Sequence, residues 1–191
     1  MRYTLGVARA TDKSLGGAVR TSALLVCTLF LVMIAEAVSP IDLRGFGVTP
    51  RTPWGLVGIL FCPLLHANMQ HLLANAVPLF VLLVLLFWDK RYFPLATLAL
   101  IWLASGFGTW LIGRSGSVHI GASSIIYGLV SYLVTSGFLM RSWRAAVVAL
   151  LVLFFYGGII YGVLPQRGPI SWEGHLSGVI AGIWAARRNH D

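Results

Sequence analysis

Apolar residues run along this chain in stretches of about twenty, each long enough to cross a bilayer as a helix, separated by short clusters of charge, proline and glycine. The pattern predicts six spans. The first covers about Thr21 to Val38, with a single charge, Glu36, near its far end. The second covers Asn68 to Trp88 and is closed by Asp89-Lys90-Arg91. The third covers Tyr92 to Ile112 and contains Ser105-Gly106-Phe107-Gly108, small residues that let helices pack closely. The fourth runs from Ser123 to Met140 and ends at the charged turn Arg141 to Arg144. The fifth runs from Ala145 to Leu164. The sixth begins near Trp172 and ends at Arg187-Arg188. Between the first two spans lies a long, partly apolar stretch, residues 39–65. Its Trp54 and the segment Gly55 to Phe61 predict a piece lying in the headgroup interface. The expectation is an all-α polytopic membrane bundle of six transmembrane helices, with a tail over 1–20 and one membrane domain over 21–188.

Composition agrees with that pattern. Of the 191 residues, 58% are hydrophobic and 10% charged, whereas a soluble domain carries about 25% charged residues. The net charge of +8 sits at the ends of apolar runs, so it reads as topology, and no nucleic-acid partner is inferred from it. With the N-terminus in the cytoplasm, ten of the fourteen Lys and Arg fall inside and four, Arg44, Arg51, Arg114 and Arg167, fall outside. That excess predicts six spans with both termini cytoplasmic. A cleavable leader is the alternative at the N-terminus, given the basic start and Ala35-Glu36-Ala37, but the tail is long for one. The two cysteines, Cys27 and Cys62, have no metal spacing and read as packing residues. No internal repeat or low-complexity tract is visible.

Chemistry concentrates at one depth. In Gly121-Ala122-Ser123-Ser124-Ile125-Ile126-Tyr127-Gly128, a serine stands at a loop-to-helix turn, where uncapped N–H groups and the helix dipole favour an oxyanion. Gly121 lets backbone approach a substrate carbonyl, and Tyr127 shares the face of Ser123. The plain alternative is that Ser123 or Ser124 merely caps the helix. In the six-span topology Ser123 lies at the outer end of span four. His71 and Asn75, one turn apart, lie in the outer part of span two, and His175 in the outer part of span six. Polar groups at that depth face the bundle interior or a water-filled cavity, although His71 and Asn75 can also act as interhelical glue. Gly178 and Gly182 follow His175 as a close-packing stripe that would bring it to Ser123 if span four is the partner. A neutral histidine is the usual base for a serine nucleophile. Glu173 points to another face of its helix and supplies no third member. His66 is expected to bond loop backbone, and His119 to be a solvated loop residue.

Taken together, His66, His71 and Asn75 in His-Ala-Asn-Met-Gln-His-Leu-Leu-Ala-Asn, then Gly121-Ala-Ser123, Tyr127, and Gly174-His175-x-x-Gly178-x-x-x-Gly182 resemble the rhomboid intramembrane serine proteases in order and spacing, over about residues 54–185. The resemblance implies a rhomboid-like bundle in a bacterial-type plasma membrane. It implies a serine endopeptidase, with no cofactor and no metal, cutting transmembrane protein substrates near their outer ends. It implies Ser123 as nucleophile and His175 as base. His71 and Asn75, with backbone near Gly121 and Ser123, would bind the oxyanion, and Tyr127 would pack on the ring of His175. Two positions depart from the family pattern: its Trp-Arg pair is absent at the expected distance before His66, and Ser124 stands where many members have glycine. Three other functions fit the chain less well. A catalytically inactive rhomboid-like membrane-protein binder should have lost the serine or histidine. A metalloprotease using His66, His71 and His175 would want the carboxylate that accompanies paired helical histidines. A small transporter would show inverted repeats or paired broken helices.

Overall fold

The computed structural model describes residues 14–166, 168 and 170–190. The predicted loops and spans form seven α-helices among the described residues: α1 Leu15–Val38, α2 Pro53–Phe61, α3 Met69–Trp88, α4 Pro94–Ile112, α5 Ser123–Leu139, α6 Trp143–Tyr156 and α7 Trp172–His190. No strand occurs among them, only one isolated antiparallel bridge between Val48 and His119.

The helix starts follow local chemistry. Ser14 accepts from the Gly17 N–H at 2.9 Å, so α1 begins at Leu15 and takes in Arg20, six residues before the expected start at Thr21. The rest of the expected tail, residues 1–13, lies outside the described residues, as does Arg167. Thr52 caps α2 with Pro53 in its first turn, where the missing N–H costs nothing. Asn68 caps α3 by accepting from the His71 N–H at 2.8 Å. Past Tyr156, α6 tightens into a 3-10 stretch, Gly157–Val163, so the predicted fifth span is two kinds of helix in series.

α5 is the axis of the bundle. It is packed by α7, α6, α3 and α4, while α1 lies on α3 and α2 lies on α4. Its Leu129, Tyr132 and Leu133 are fully buried, and they join Leu72, Leu82 and Leu86 of α3 and Ile101 of α4 in the main core. α7 reaches α5 through glycine. A Cβ at Gly178 would run into the Ser124 carbonyl, and one at Gly182 into the Gly128 carbonyl and the Ser131 hydroxyl. Gly108 of α4 approaches Ser177 of α7 in the same manner, and Gly106 meets Ile59 of α2. Backbones this close exchange dispersion contacts along their whole length.

Four helical stretches are long and apolar enough to cross a membrane: Leu15–Val38, Met69–Trp88, Lys90–Ile112 and Trp143–Val163. This is an integral membrane protein. α5 has only 17 residues, about 26 Å at 1.5 Å per residue, short of the roughly 30 Å hydrocarbon core, and its neighbours shield it. α7 carries Glu173, His175, Arg187 and Arg188 and is not among the four. Outward faces are rich in large apolar side chains, including Leu24, Leu31, Leu95, Leu150, Phe154 and Phe155. Cys27 is exposed on α1 and does not pack in the interior, whereas Cys62 is buried. The stretch before α3 folds back as α2, whose exposed Trp54, Leu56, Val57, Leu60 and Phe61 make one apolar rim.

Candidate active site

Ser123 is the first residue of α5, and no side chain caps the helix before it: Ala122 holds the cap position. The first-turn N–H groups beside Ser123 therefore have no side-chain acceptor. Neither serine serves as the cap; Ser124 turns away to the Ser105 hydroxyl of α4, 3.3 Å off. The chain enters this turn through Gly121 at φ +110°, a conformation L side chains rarely adopt. The Gly121 N–H donates to the Cys62 carbonyl at 2.9 Å, which ties the turn to the end of α2.

His175 stands in the first turn of α7, and its Nε2 lies 3.0 Å from Ser123 Oγ. Its Nδ1 lies 2.9 Å from the Gly162 carbonyl. A carbonyl only accepts, so Nδ1 carries the proton and Nε2 is left as the acceptor for the serine hydroxyl. The imidazole is fixed from a third side by Tyr127, whose ring stacks on it at 4.0 Å between centroids and 9° between planes. Gly162 tolerates no side chain, because a Cβ there would meet the Tyr127 hydroxyl and lie 3.2 Å from His175 Nδ1.

His71 faces the turn from α3. The Ala67 N–H donates to its Nδ1 at 3.4 Å, which leaves Nε2 as the protonated nitrogen. That edge faces Gly121: a Cβ on Gly121 would be 2.9 Å from both Cε1 and Nε2 of His71. The Asn75 amide donates to the His71 carbonyl at 2.8 Å, with one amide hydrogen to spare. His71, Asn75, Ser123, Tyr127, Gly162 and His175 all line one cavity of about 1090 Å³. Its flanks are Ala74 and Pro78 of α3 on one side and, on the other, Phe155 and Tyr156 of α6 with Ile159 of the 3-10 stretch that follows.

Two other histidines are buried. His66 is 2% exposed; neither ring nitrogen makes an aligned hydrogen bond among the described residues, and the backbone of Leu64 is the polar group nearest to serving it. It stands edge-on to His71 at 5.1 Å. Burial, aided by His71, pushes its imidazole pKa down to about 4. His119 is buried, not solvated: it is 4% exposed, between the hydroxyls of Ser117 and Ser171. Its backbone pairs with Val48 in both directions at 2.9 Å, which holds the first long loop against the loop before Ser123. Arg51 strengthens that seam, donating to the Leu111 carbonyl at 2.9 Å. Among the described residues no group of three or more His, Cys, Asp and Glu is placed to hold a metal ion.

The Gly162 carbonyl carried no signal in the sequence, because every residue offers a carbonyl. The only trace was indirect, a glycine in the last third of an apolar span.

A helical membrane protein with a serine–histidine contact in a cavity among its helices is the class defined so far. The sequence profile of the Rhomboid domain matches residues 53–189, and the chain belongs to the rhomboid family. An uncharacterized protein of Mycobacterium tuberculosis is 44% identical to it over 170 residues, 84% of this chain and 70% of the other. An uncharacterized protein of Mycobacterium leprae is 40% identical over 169 residues, 83% and 66% of the two chains. RHOMBOID-like protein 1 of Arabidopsis thaliana is 30% identical over 131 residues, 64% of this chain and 31% of the plant protein. No solved structure matches the chain.

Proposed function

We propose that this protein is an intramembrane serine endopeptidase that cuts transmembrane protein substrates near their outer ends through a Ser123–His175 dyad. The observation that carries the reading is the 3.0 Å contact between Ser123 Oγ and His175 Nε2, with the histidine's other nitrogen already occupied by the Gly162 carbonyl. That carbonyl stands where a triad has its carboxylate and serves the same end, fixing the tautomer. Family membership supports the reaction class.

The steps follow from these atoms. Ser123 Oγ attacks the scissile carbonyl while Nε2 takes its proton. Charge moves to the carbonyl oxygen, where the first-turn N–H groups of α5, His71 Nε2–H and the spare Asn75 hydrogen can meet it, with Gly121 leaving room for the approach. The imidazolium returns its proton to the departing amine. Water then attacks the acyl-serine, giving its proton to Nε2, and the carboxyl product leaves as Ser123 Oγ is reprotonated. In this reading six spans cross the membrane, with both termini cytoplasmic and the tail over 1–20 inside. α5 and α7 then complete the four spans identified by length and composition. Substrate reaches the cavity sideways, between α3 and α6.

The test is labelling of the detergent-solubilised protein with a fluorophosphonate probe, beside Ser123→Ala. Labelling of the wild type alone supports the dyad. A chain that is folded and unlabelled is the inactive membrane-protein binder.

A further inference from the structure

Ser123 and His175 sit on helices that start 49 residues apart, Ser123 on α5 and Trp172 on α7. Each follows a loop, so their 3.0 Å contact depends on how those two loops are held together. A group of side chains outside the reacting atoms does this. Arg114 opens the loop that leads to Ser123. Its Nε lies 2.8 Å from Oε1 of Glu173, two residues before His175, and its other nitrogens donate to the carbonyls of Gly168 at 3.0 Å and Ile170 at 2.8 Å. Glu173 is 1% exposed, and its oxygens have no aligned hydrogen bond among the described residues. The contact is charge against charge, and a buried carboxylate held this way is costly unless the cation stays in place.

A second strap runs beside the first. Ser117 gives its hydroxyl proton to the Arg114 carbonyl at 2.6 Å. It therefore accepts from His119 Nε2–H at 2.9 Å, and Ser171 donates to His119 Nδ1. Both straps connect the Ser123 loop to the approach to His175. Arg114, Ser117, His119 and Ser171 also rim the cavity, and the strap meets α7 directly where the His175 N–H donates to the Ser171 carbonyl at 3.1 Å.

We propose that Arg114 is a positioning residue: its fork to Glu173, Gly168 and Ile170 sets the distance between nucleophile and base. The proposal rests on the dyad reading. Lysine at this site would keep the charge beside Glu173 but has no planar fork to hold two carbonyls as well. A misplacement of about 1 Å costs on the order of 100-fold in rate.

The experiment uses the full chain in detergent and in liposomes, with Arg114→Lys, Arg114→Met and Glu173→Gln. It reads kcat and KM on a single-span substrate, the rate of Ser123 phosphonylation, and the unfolding midpoint. Arg114→Lys is expected to unfold with the wild type, to keep KM within about twofold, and to lose about tenfold in kcat and in labelling rate, part of the loss expected for a full 1 Å misplacement. Arg114→Met should lose more, and Glu173→Gln, which keeps an acceptor for the guanidinium, should lose less. If Arg114→Met fails to fold, Arg114→Lys decides alone. Wild-type kcat and labelling in Arg114→Lys overturn the positioning role while leaving the dyad intact. A loss confined to the unfolding midpoint makes the clasp structural only and also overturns it. A wild type unlabelled at Ser123 overturns the dyad and the clasp together.

Discussion

Replacing Gly178 by alanine tests whether the distance between α5 and α7 sets the distance between Ser123 and His175. The added Cβ would lie against the Ser124 carbonyl, 3.0 Å from its carbon and 3.2 Å from the Gly128 nitrogen. Carbon pairs rest at about 3.5–4.0 Å, and the carbonyl oxygen lies nearer still, so the helices must part by about 1 Å or more near the site. Both neighbours are helix backbone and cannot rotate aside as a side chain could. Ser124 follows Ser123, and Gly178 is one turn after His175, so the parting is felt at the Ser123–His175 contact. A contact of 3.0 Å would open beyond the roughly 2.6–3.2 Å in which a base accepts the nucleophile's proton. Overpacking of this kind costs about 1–3 kcal/mol of stability, which a bundle with a large core survives, whereas the rate should fall on the order of 100-fold. Gly178→Val should lose more of both. The assay is fluorophosphonate labelling of protein that elutes as a folded species, with its unfolding midpoint measured in parallel. Labelling at the wild-type rate in folded Gly178→Ala would refute the reasoning, because the dyad would then be insensitive to the seam beneath it.

Four further outcomes are expected. Ser123→Ala and His175→Ala should each abolish cleavage and leave extractable, folded protein; near-normal turnover in either removes the dyad. His71→Ala or Asn75→Ala should slow cleavage about 100- to 1000-fold, the usual cost of a lost oxyanion donor, and a folding defect with no kinetic one would make these residues packing glue. His66 titrates near 4 in the folded protein and near 6.5 when unfolded, so the unfolded chain binds the extra proton as pH falls. Stability present above pH 6.5 should thus decline toward pH 4, by up to about 3 kcal/mol, and a His66→Phe variant with the same pH profile as wild type would contradict this. Single-span substrates carrying glycine or proline near the outer boundary should be cut faster than leucine–alanine ones, because those residues weaken a helix by about 1 and 3 kcal/mol and a helical carbonyl is shielded; equal rates would refute the unwinding step.

Much of this architecture was legible because a membrane makes the sequence simple. Apolar runs give helices, and charged turns such as Asp89-Lys90-Arg91 end them. The helix starts at Ser123, near Asn68 and at Trp172 were readable within a residue, since Asn68 is a capping residue and Trp172 follows a proline- and glycine-rich loop. The start of α1 was not, because the cap at Ser14 precedes Gly16 and Gly17, which read as loop. The 3-10 stretch after Tyr156 was equally hidden: nothing in an apolar run with paired glycines says whether the helix continues at 3.6 or three residues per turn. The burial of His66 and His119 was not legible, for one shared reason. A histidine in a loop is taken as wet or backbone-bonded, and only tertiary contacts show that these loops fold inward over the site.

The same limit applies to the group that orients His175. Sequence displays side chains, and the carboxylate it displays near His175 is Glu173, two residues away and on another face of the helix. The structure divides the task between two groups. Glu173 is buried against Arg114 at 2.8 Å and holds a loop, while the Gly162 carbonyl, 2.9 Å from Nδ1, takes the proton-bearing nitrogen. A neutral acceptor suits this depth better than a charge, because an ionised carboxylate there would need its own compensation. It also places the acceptor on the 3-10 stretch that continues α6, one flank of the cavity. Any movement of that flank that withdrew Gly162 would free the imidazole to turn or change tautomer. The stretch that supplies this carbonyl also lines the cavity, through Gly158, Ile159 and Gly162.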